Sequence, residues 1–245
     1  MTIDTEELKR LWQQAFGDPA EFVDAFFRTG FSVDRFRCIQ KDGQMAAALY
    51  WFDCECRGEK LAYLYGVATE KSFQGQGLCH ALMEDTHTYL AEKGYAGAVL
   101  VPGNAGLFRL YAGMGYQPFG GIREFSCFAA ETPCALRPID KEEYADLRRK
   151  YLPEGGVVQE GDTLSFLQTQ VKFFAGEDFV LAATAEENRL FAPELLGNAA
   201  AAPQILNALG GSEGRFRTPG IEKPFAMYRL FTQTEPPAYF GLALD

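Results

Sequence analysis

A chain of 245 residues, 47% hydrophobic and 14% aromatic, is long enough for one large packed core or two smaller ones. Its net charge of −10, with no Lys/Arg block, excludes general nucleic-acid binding, and the lack of any 18-residue apolar run excludes a membrane-spanning helix. Six thinly spread cysteines (Cys38, Cys54, Cys56, Cys79, Cys127, Cys134) and a polar, acidic opening without an apolar targeting region predict reduced thiols and a cytoplasmic location.

Residues 5–16 place Leu8, Leu11, Trp12, Ala15 and Phe16 at helical spacing behind Thr5, and Gly17-Asp18-Pro19 ends that helix. A second helix over 20–28 carries Phe22, Val23, Phe26 and Phe27 on its apolar side. Two strands follow, 36–40 and 45–52, joined across Asp42-Gly43, a strong hairpin signal. A turn at 57–60 then leads into a strand beginning at Leu61; no clear strand precedes residue 5. Cys54 and Cys56 share one strand face, but with two histidines and no second paired-cysteine motif no metal site is expected.

The chain is organised around residues 61–119. The apolar run Leu64-Tyr65-Gly66-Val67-Ala68-Thr69 reaches a glycine-rich corner, Gln74-Gly75-Gln76-Gly77-Leu78-Cys79, which opens an amphipathic helix over 78–93. Glycines there let backbone N–H groups converge, and the helix adds its unpaired N-terminal donors and the positive end of its dipole, so the corner suits an anion. A bare tight turn is the alternative for such a motif on its own. His80 and His87 share a face of the helix and are read as surface or core histidines rather than ligands or bases. A short buried strand, 95–101, precedes Asn104, which suits an N-cap; Gly115 suits a terminator, and Tyr111 lies mid-helix two turns beyond Asn104.

These residues resemble the GNAT superfamily of acyl-CoA-dependent N-acetyltransferases. Its pyrophosphate signature Q/R-x-x-G-x-G/A is met by residues 74–79 except at Cys79, and its later signature is met by Asn104, Leu110-Tyr111 and Gly115-Tyr116, with Leu107 replacing the usual Ala. The resemblance implies an acyl-CoA co-substrate and no metal. It implies that the main chain at Val67, Ala68 and Thr69 pairs with the pantetheine, and that Gln74, Gly75, Gln76, Gly77, Leu78 and Cys79 hold the pyrophosphate, with Asn104 and Tyr111 completing the cofactor site. It further implies direct attack by a primary amine of a small molecule or peptide, with Tyr111 as general acid, a phenol of pKa ~10 being matched to a departing thiolate. No base is assigned: Asp53, Glu55 and Glu84 are the nearest acids, and each reads as a surface charge.

Beyond Phe119 a strand at 124–129 is expected to complete a first, acyl-CoA-binding domain, 1–130, and 131–134 reads as a linker. From 135 to 245 the plan repeats in weaker form. Its expected elements are helices at 141–151, 164–174 and 202–209, a hairpin over 178–183 and 189–196, strands at 215–217 and 225–231, and a shortened corner at 196–200 without a GxG. The expected fold class is therefore α/β in the α+β sense: a mixed, mostly antiparallel sheet flanked by helices, in a tandem of two GNAT-like units of which the second is degenerate. A catalytically silent domain that senses acyl-CoA or a small ligand is the alternative.

Overall fold

The structure, a computed structural model, describes residues 4–243. In chain order its elements begin with α1 (Thr5–Phe16), α2 (Ala20–Thr29), β1 (Phe36–Lys41), β2 (Gln44–Cys56), β3 (Glu59–Thr69), α3 (Leu78–Glu92) and β4 (Gly97–Leu100). They continue with α4 (Ala105–Ala112), β5 (Gln117–Phe119), β6 (Ile122–Phe128), β7 (Arg137–Ile139), α5 (Lys141–Tyr151), β8 (Val158–Gln159) and α6 (Asp162–Leu167). The last are β9 (Lys172–Ala175), β10 (Phe179–Glu186), β11 (Arg189–Gly197), α7 (Ala202–Ala208), β12 (Glu213–Pro219) and β13 (Ala226–Leu230). The protein is α+β with mixed, mostly antiparallel sheets, and it divides into two compact units. One comprises the described residues up to Leu100 plus Arg229–Thr234; the other comprises Val101–Tyr228 plus the described residues from Glu235 on. No helix among the described residues is long and apolar enough to cross a membrane.

In the first unit β1, β2 and β3 form an antiparallel meander, and β4 joins β3 in parallel. Both meander turns are two-residue reversals with positive φ at each position, Asp42 and Gly43 at 53° and 74°, Arg57 and Gly58 at 52° and 79°, the twist that tight hairpins favour. Because the second turn is this tight, β3 starts at Glu59 rather than Leu61. Arg229 and Leu230, at the end of β13, lie against Gly97 of β4 so closely that a Cβ there would sit 2.7 Å from the Arg229 carbonyl oxygen. The helices α1 and α2 cover one part of this sheet through aromatic contacts: the Trp12 ring lies 4.6 Å from Phe26, 5.5 Å from Tyr50 and 5.6 Å from Tyr65. Such tilted pairs each add about 1 kcal/mol beyond area burial.

The second unit is built on a six-stranded sheet in the order β6-β12-β11-β10-β9-β7, in which only β11 and β12 run parallel. The strand expected at 124–129 forms as β6, and its partner is β12. The helix expected over 164–174 ends instead at Leu167; the chain turns at 168–170, with Thr169 Oγ1 bonding back to the Phe166 carbonyl at 2.7 Å, and resumes as β9, paired with β10. That back-bond is the competition by which a threonine stops a helix whose apolar spacing continues.

The two units share a construction. In each, the middle strand pairs antiparallel with its predecessor, carries a bulge, then runs past the end of its parallel pairing into a 3₁₀ turn and a helix. In the first, β3 pairs with β4 over Leu61, Ala62 and Tyr63, bulges where Tyr65 and Ala68 face Tyr50 and Ala48, and continues into Lys71–Phe73 and α3. In the second, β11 pairs with β12 over Arg189 to Ala192, bulges where Phe191 and Glu194 face Thr184 and Ala182, and continues into Ala199–Ala201 and α7.

Candidate active site

The first corner is open on its main chain. Gly75 and Gly77 have φ of 75° and 77°, conformations that carry a cost of about 1–2 kcal/mol for residues with a Cβ, and nothing lies within 4 Å of where a Cβ would stand. Gly77 is the N-cap of α3; no side chain caps the helix and its first turn holds no acid. The orphan N–H groups of a 15-residue helix are thus left without a side-chain acceptor at its positive end. The side chains of the motif turn away to brace the loop: Gln74 Nε2 donates to the Thr69 carbonyl at 3.1 Å and Gln76 Nε2 to the Ser72 carbonyl at 3.3 Å. Glu70, which the sequence reading missed, caps the 3₁₀ turn by accepting from Ser72 N at 2.7 Å.

Before the corner, β3 runs on past its ladder with β4. Its parallel pairing with β4 ends at Tyr63, so Leu64 and the residues on to Thr69, including Val67 and Ala68, run on beyond that ladder. The bulge sits at Gly66, φ 59°, where a Cβ would stand 2.7 Å from the Trp12 ring; only glycine lets the indole press against the strand here. Cys79, in the first turn of α3, is half-buried, and that burial pushes its thiol up from the ordinary value, keeping it neutral.

Asn104 and Tyr111 lie in the second unit, together on α4. Asn104 Oδ1 accepts from Gly106 N at 2.9 Å and Leu107 N at 3.1 Å, the N-cap role expected of it. Gly115, φ 82°, reverses the chain so that Tyr116 N–H reaches the Tyr111 carbonyl at 3.1 Å. Tyr111 is buried, its ring edge-on to Tyr116 at 5.8 Å.

The acids weighed as bases are engaged or remote. Asp53 faces Ala62, four residues or about 13 Å along β3 from Gly66, and binds the Tyr95 hydroxyl and, at 3.4 Å, Lys60. Glu84 is clamped by Arg229, whose guanidinium lowers its pKa. Glu55 is exposed, opposite Lys60 on β3. His80 is exposed while His87, two turns on, is buried, since the first turn of α3 extends beyond the core that covers its later turns.

His87 Nδ1 accepts from Arg229 Nη1 at 2.9 Å, which suits a neutral ring; burial, reinforced by Arg229 and opposed by Glu84, lowers its pKa to about 4. The unfolded value is near 6.5, so this term is complete above pH 6.5 and is lost as pH falls toward 4, at most about 3 kcal/mol. Acid titration of unfolding free energy should therefore show a steeper fall between pH 6.5 and 4 in the parent than in His87→Leu; parallel curves would refute it.

Among the described residues no group of three His, Cys, Asp or Glu side chains is placed to hold a metal ion. The family of acetyltransferase (GNAT) domains matches residues 2–119, just under half of the chain. Residues 2–119 are a GNAT acetyltransferase domain. No curated protein matches the chain. Solved structures similar to it include a GCN5-related N-acetyltransferase from Kribbella flavida, 17% identical over 92% of this chain and 69% of that one, TM-score 0.69. A GCN5-related N-acetyltransferase from Anabaena variabilis is 14% identical over 92% and 70%, TM-score 0.69. Eis1 from Mycobacterium abscessus is 11% identical over 94% and 72%, TM-score 0.67. These likenesses show the fold, and they extend past the GNAT domain into the second unit.

Proposed function

We propose that this protein moves an acetyl or short acyl group from acyl-CoA to a primary amine of a small molecule or peptide. The observation that carries the reading is the first corner: a long helix whose N-terminus is left without a side-chain cap, behind two open glycines and a strand that runs on past its ladder with β4. Such a corner fits a diphosphate, because several converging N–H groups each contribute about 1.5–3 kcal/mol to a charged acceptor. The part of β3 beyond that ladder, at Val67 and Thr69, fits the amides of a pantetheine arm, and a main-chain N–H near Val67 would face the charge that develops on a thioester oxygen. Tyr111 is assigned the acid role on its motif, its phenol giving a proton to the departing sulfur. The amine is the acceptor class of the family. Six free cysteines accord with a reducing compartment, and we place the protein in the cytoplasm on that ground.

Calorimetry with acetyl-CoA against longer acyl-CoAs, followed by an amine panel with thiol release as readout, tests the proposal. Binding at one site per chain and amine-dependent thiol release are expected. Binding without release from any amine would make the protein a sensor, and no binding would remove the reading altogether.

A further inference from the structure

Lys41 is the last residue of β1, and two features bring it to the corner. It pairs with Gln44 across the Asp42-Gly43 turn, and the beginning of β2 lies beside the end of β3, with Ala47 facing Thr69 and Glu70 N–H bonded to the Ala46 carbonyl at 2.9 Å. Its ammonium then reaches Gln76, the residue between the two glycines, donating to Oε1 at 2.5 Å, and lies 5.8 Å from the centroid of the Phe73 ring on the 3₁₀ turn. The amide and the ring hold the charge in place without neutralising it.

Several cations of this unit are paired with carboxylates, whereas among the described residues Lys41, like Arg28, Lys71 and Lys93, is not; what sets Lys41 apart from those three is its bond to the residue between the two glycines. Arg37 is bound to Asp85, Lys9 to Glu6 and Asp24, Lys60 to Asp53 and Arg229 to Glu84. Among the described residues Lys41 has no carboxylate partner, in a chain of net charge −10. An unpaired cation fixed against a glycine corner complements an anion there. The helix end supplies only about half a positive charge, whereas a diphosphate carries about two negative charges, so main-chain donors leave the balance unmet.

We propose that Lys41 binds the diphosphate of acyl-CoA, as a side-chain contact outside the glycine motif; this rests on the acyl-CoA reading of the corner. Of its three N–H donors one is held by Gln76, and two remain for phosphate oxygens. The amide of Gln76 becomes a positioning group, and the hairpin becomes part of the binding apparatus although Lys41 lies 35 residues before Gln76 in the chain.

The test is calorimetric titration of the full chain, parent, Lys41→Gln and Lys41→Arg, with CoA and with 3′-dephospho-CoA at two salt concentrations. Lys41→Gln should bind CoA about tenfold more weakly, as expected for a lost charge-assisted hydrogen bond, with a shallower salt dependence and an unchanged melting temperature. Lys41→Arg should keep most of the affinity, and the penalty should be equal for 3′-dephospho-CoA. In turnover assays the loss should appear in KM for acyl-CoA rather than in kcat. Parental affinity and salt dependence in Lys41→Gln would overturn the proposal. A penalty that vanishes with 3′-dephospho-CoA would move the contact to the 3′-phosphate and overturn the assignment to the diphosphate. A parent that binds no CoA would overturn the acyl-CoA reading itself, an outcome distinct from either of these.

Discussion

Tyr111→Phe is expected to lower turnover at saturating acyl-CoA by about 100-fold or more, the usual contribution of a positioned general acid, while acyl-CoA affinity changes little. The substitution removes one hydroxyl and keeps the ring. That ring is buried against Tyr116, and α4 is fixed at its start by the Asn104 cap and at its end by the turn through Gly115, so phenylalanine can occupy the same position. A fall in rate therefore reports the proton and not the scaffold. Single-turnover thiol release measures it, with calorimetry of CoA as the control. Unaltered release would remove Tyr111 from the mechanism, and a parallel loss of affinity would make it a binding residue.

The largest effect on stability is expected at Glu194 in the second unit. Its carboxylate is wholly buried, accepting from Arg148 Nε at 2.7 Å and Nη2 at 3.0 Å, from the Tyr144 hydroxyl at 2.9 Å and from the Tyr239 hydroxyl at 3.1 Å. Arg148 is equally buried and spends two further donors on the Val157 carbonyl and Gln159. Burial and the neighbouring carboxylate hold both tyrosines well above their ordinary pKa, so both stand as neutral hydroxyl donors to Glu194. Glu194→Ala would leave the guanidinium in the interior without a counter-ion, at a cost of about 3–5 kcal/mol, or roughly 10 °C in melting temperature for a chain of this size. Denaturant unfolding of the variant measures the loss. A change under about 1 kcal/mol would show that water or a rearranged Gln159 substitutes for the carboxylate.

The same network shows how the second unit differs from the first. Where β11 and β12 part, the residues just beyond their pairing, Glu194 and Arg217, both reach the segment 239–243: Glu194 through Tyr239, Arg217 through the carbonyls of Gly241 and Ala243 at 3.4 and 3.3 Å. Gln159 adds a bond to the Leu242 carbonyl at 3.0 Å. The chain itself thus satisfies these diverging strands, and Asn198 caps the turn that follows by accepting from Ala200 N.

Much of this was legible in the sequence where a residue type has few alternatives. Asp42-Gly43 could hardly be other than a tight reversal, Gly75 and Gly77 marked a left-handed backbone before a helix, and Asn104 announced its cap. The helix over 164–174 was misread because its apolar spacing continues past Leu167, and only the turn at Thr169 and the pairing of Lys172 with Ala183 decide for a strand. Lys41 was missed because its partner lies 35 residues on, across a register that no local pattern states. Glu194 carried a signal that went unread: a lone acid inside an apolar strand requires a buried cation. The structure supplies it as Arg148, one helical turn from Tyr144 on α5.

The closure of β4 constrains the order in which the molecule can be assembled. The strand edge of β4 is covered by Arg229 and Leu230, which the chain supplies only after building nearly all of the other unit, so the GNAT domain is not a self-sufficient segment. A fragment truncated near residue 119 would emerge with an uncovered row of backbone donors and acceptors along β4, the feature that invites intermolecular strand pairing. During synthesis the first unit must wait for distant sequence before its sheet is closed, and excising it for separate expression would leave it prone to aggregate.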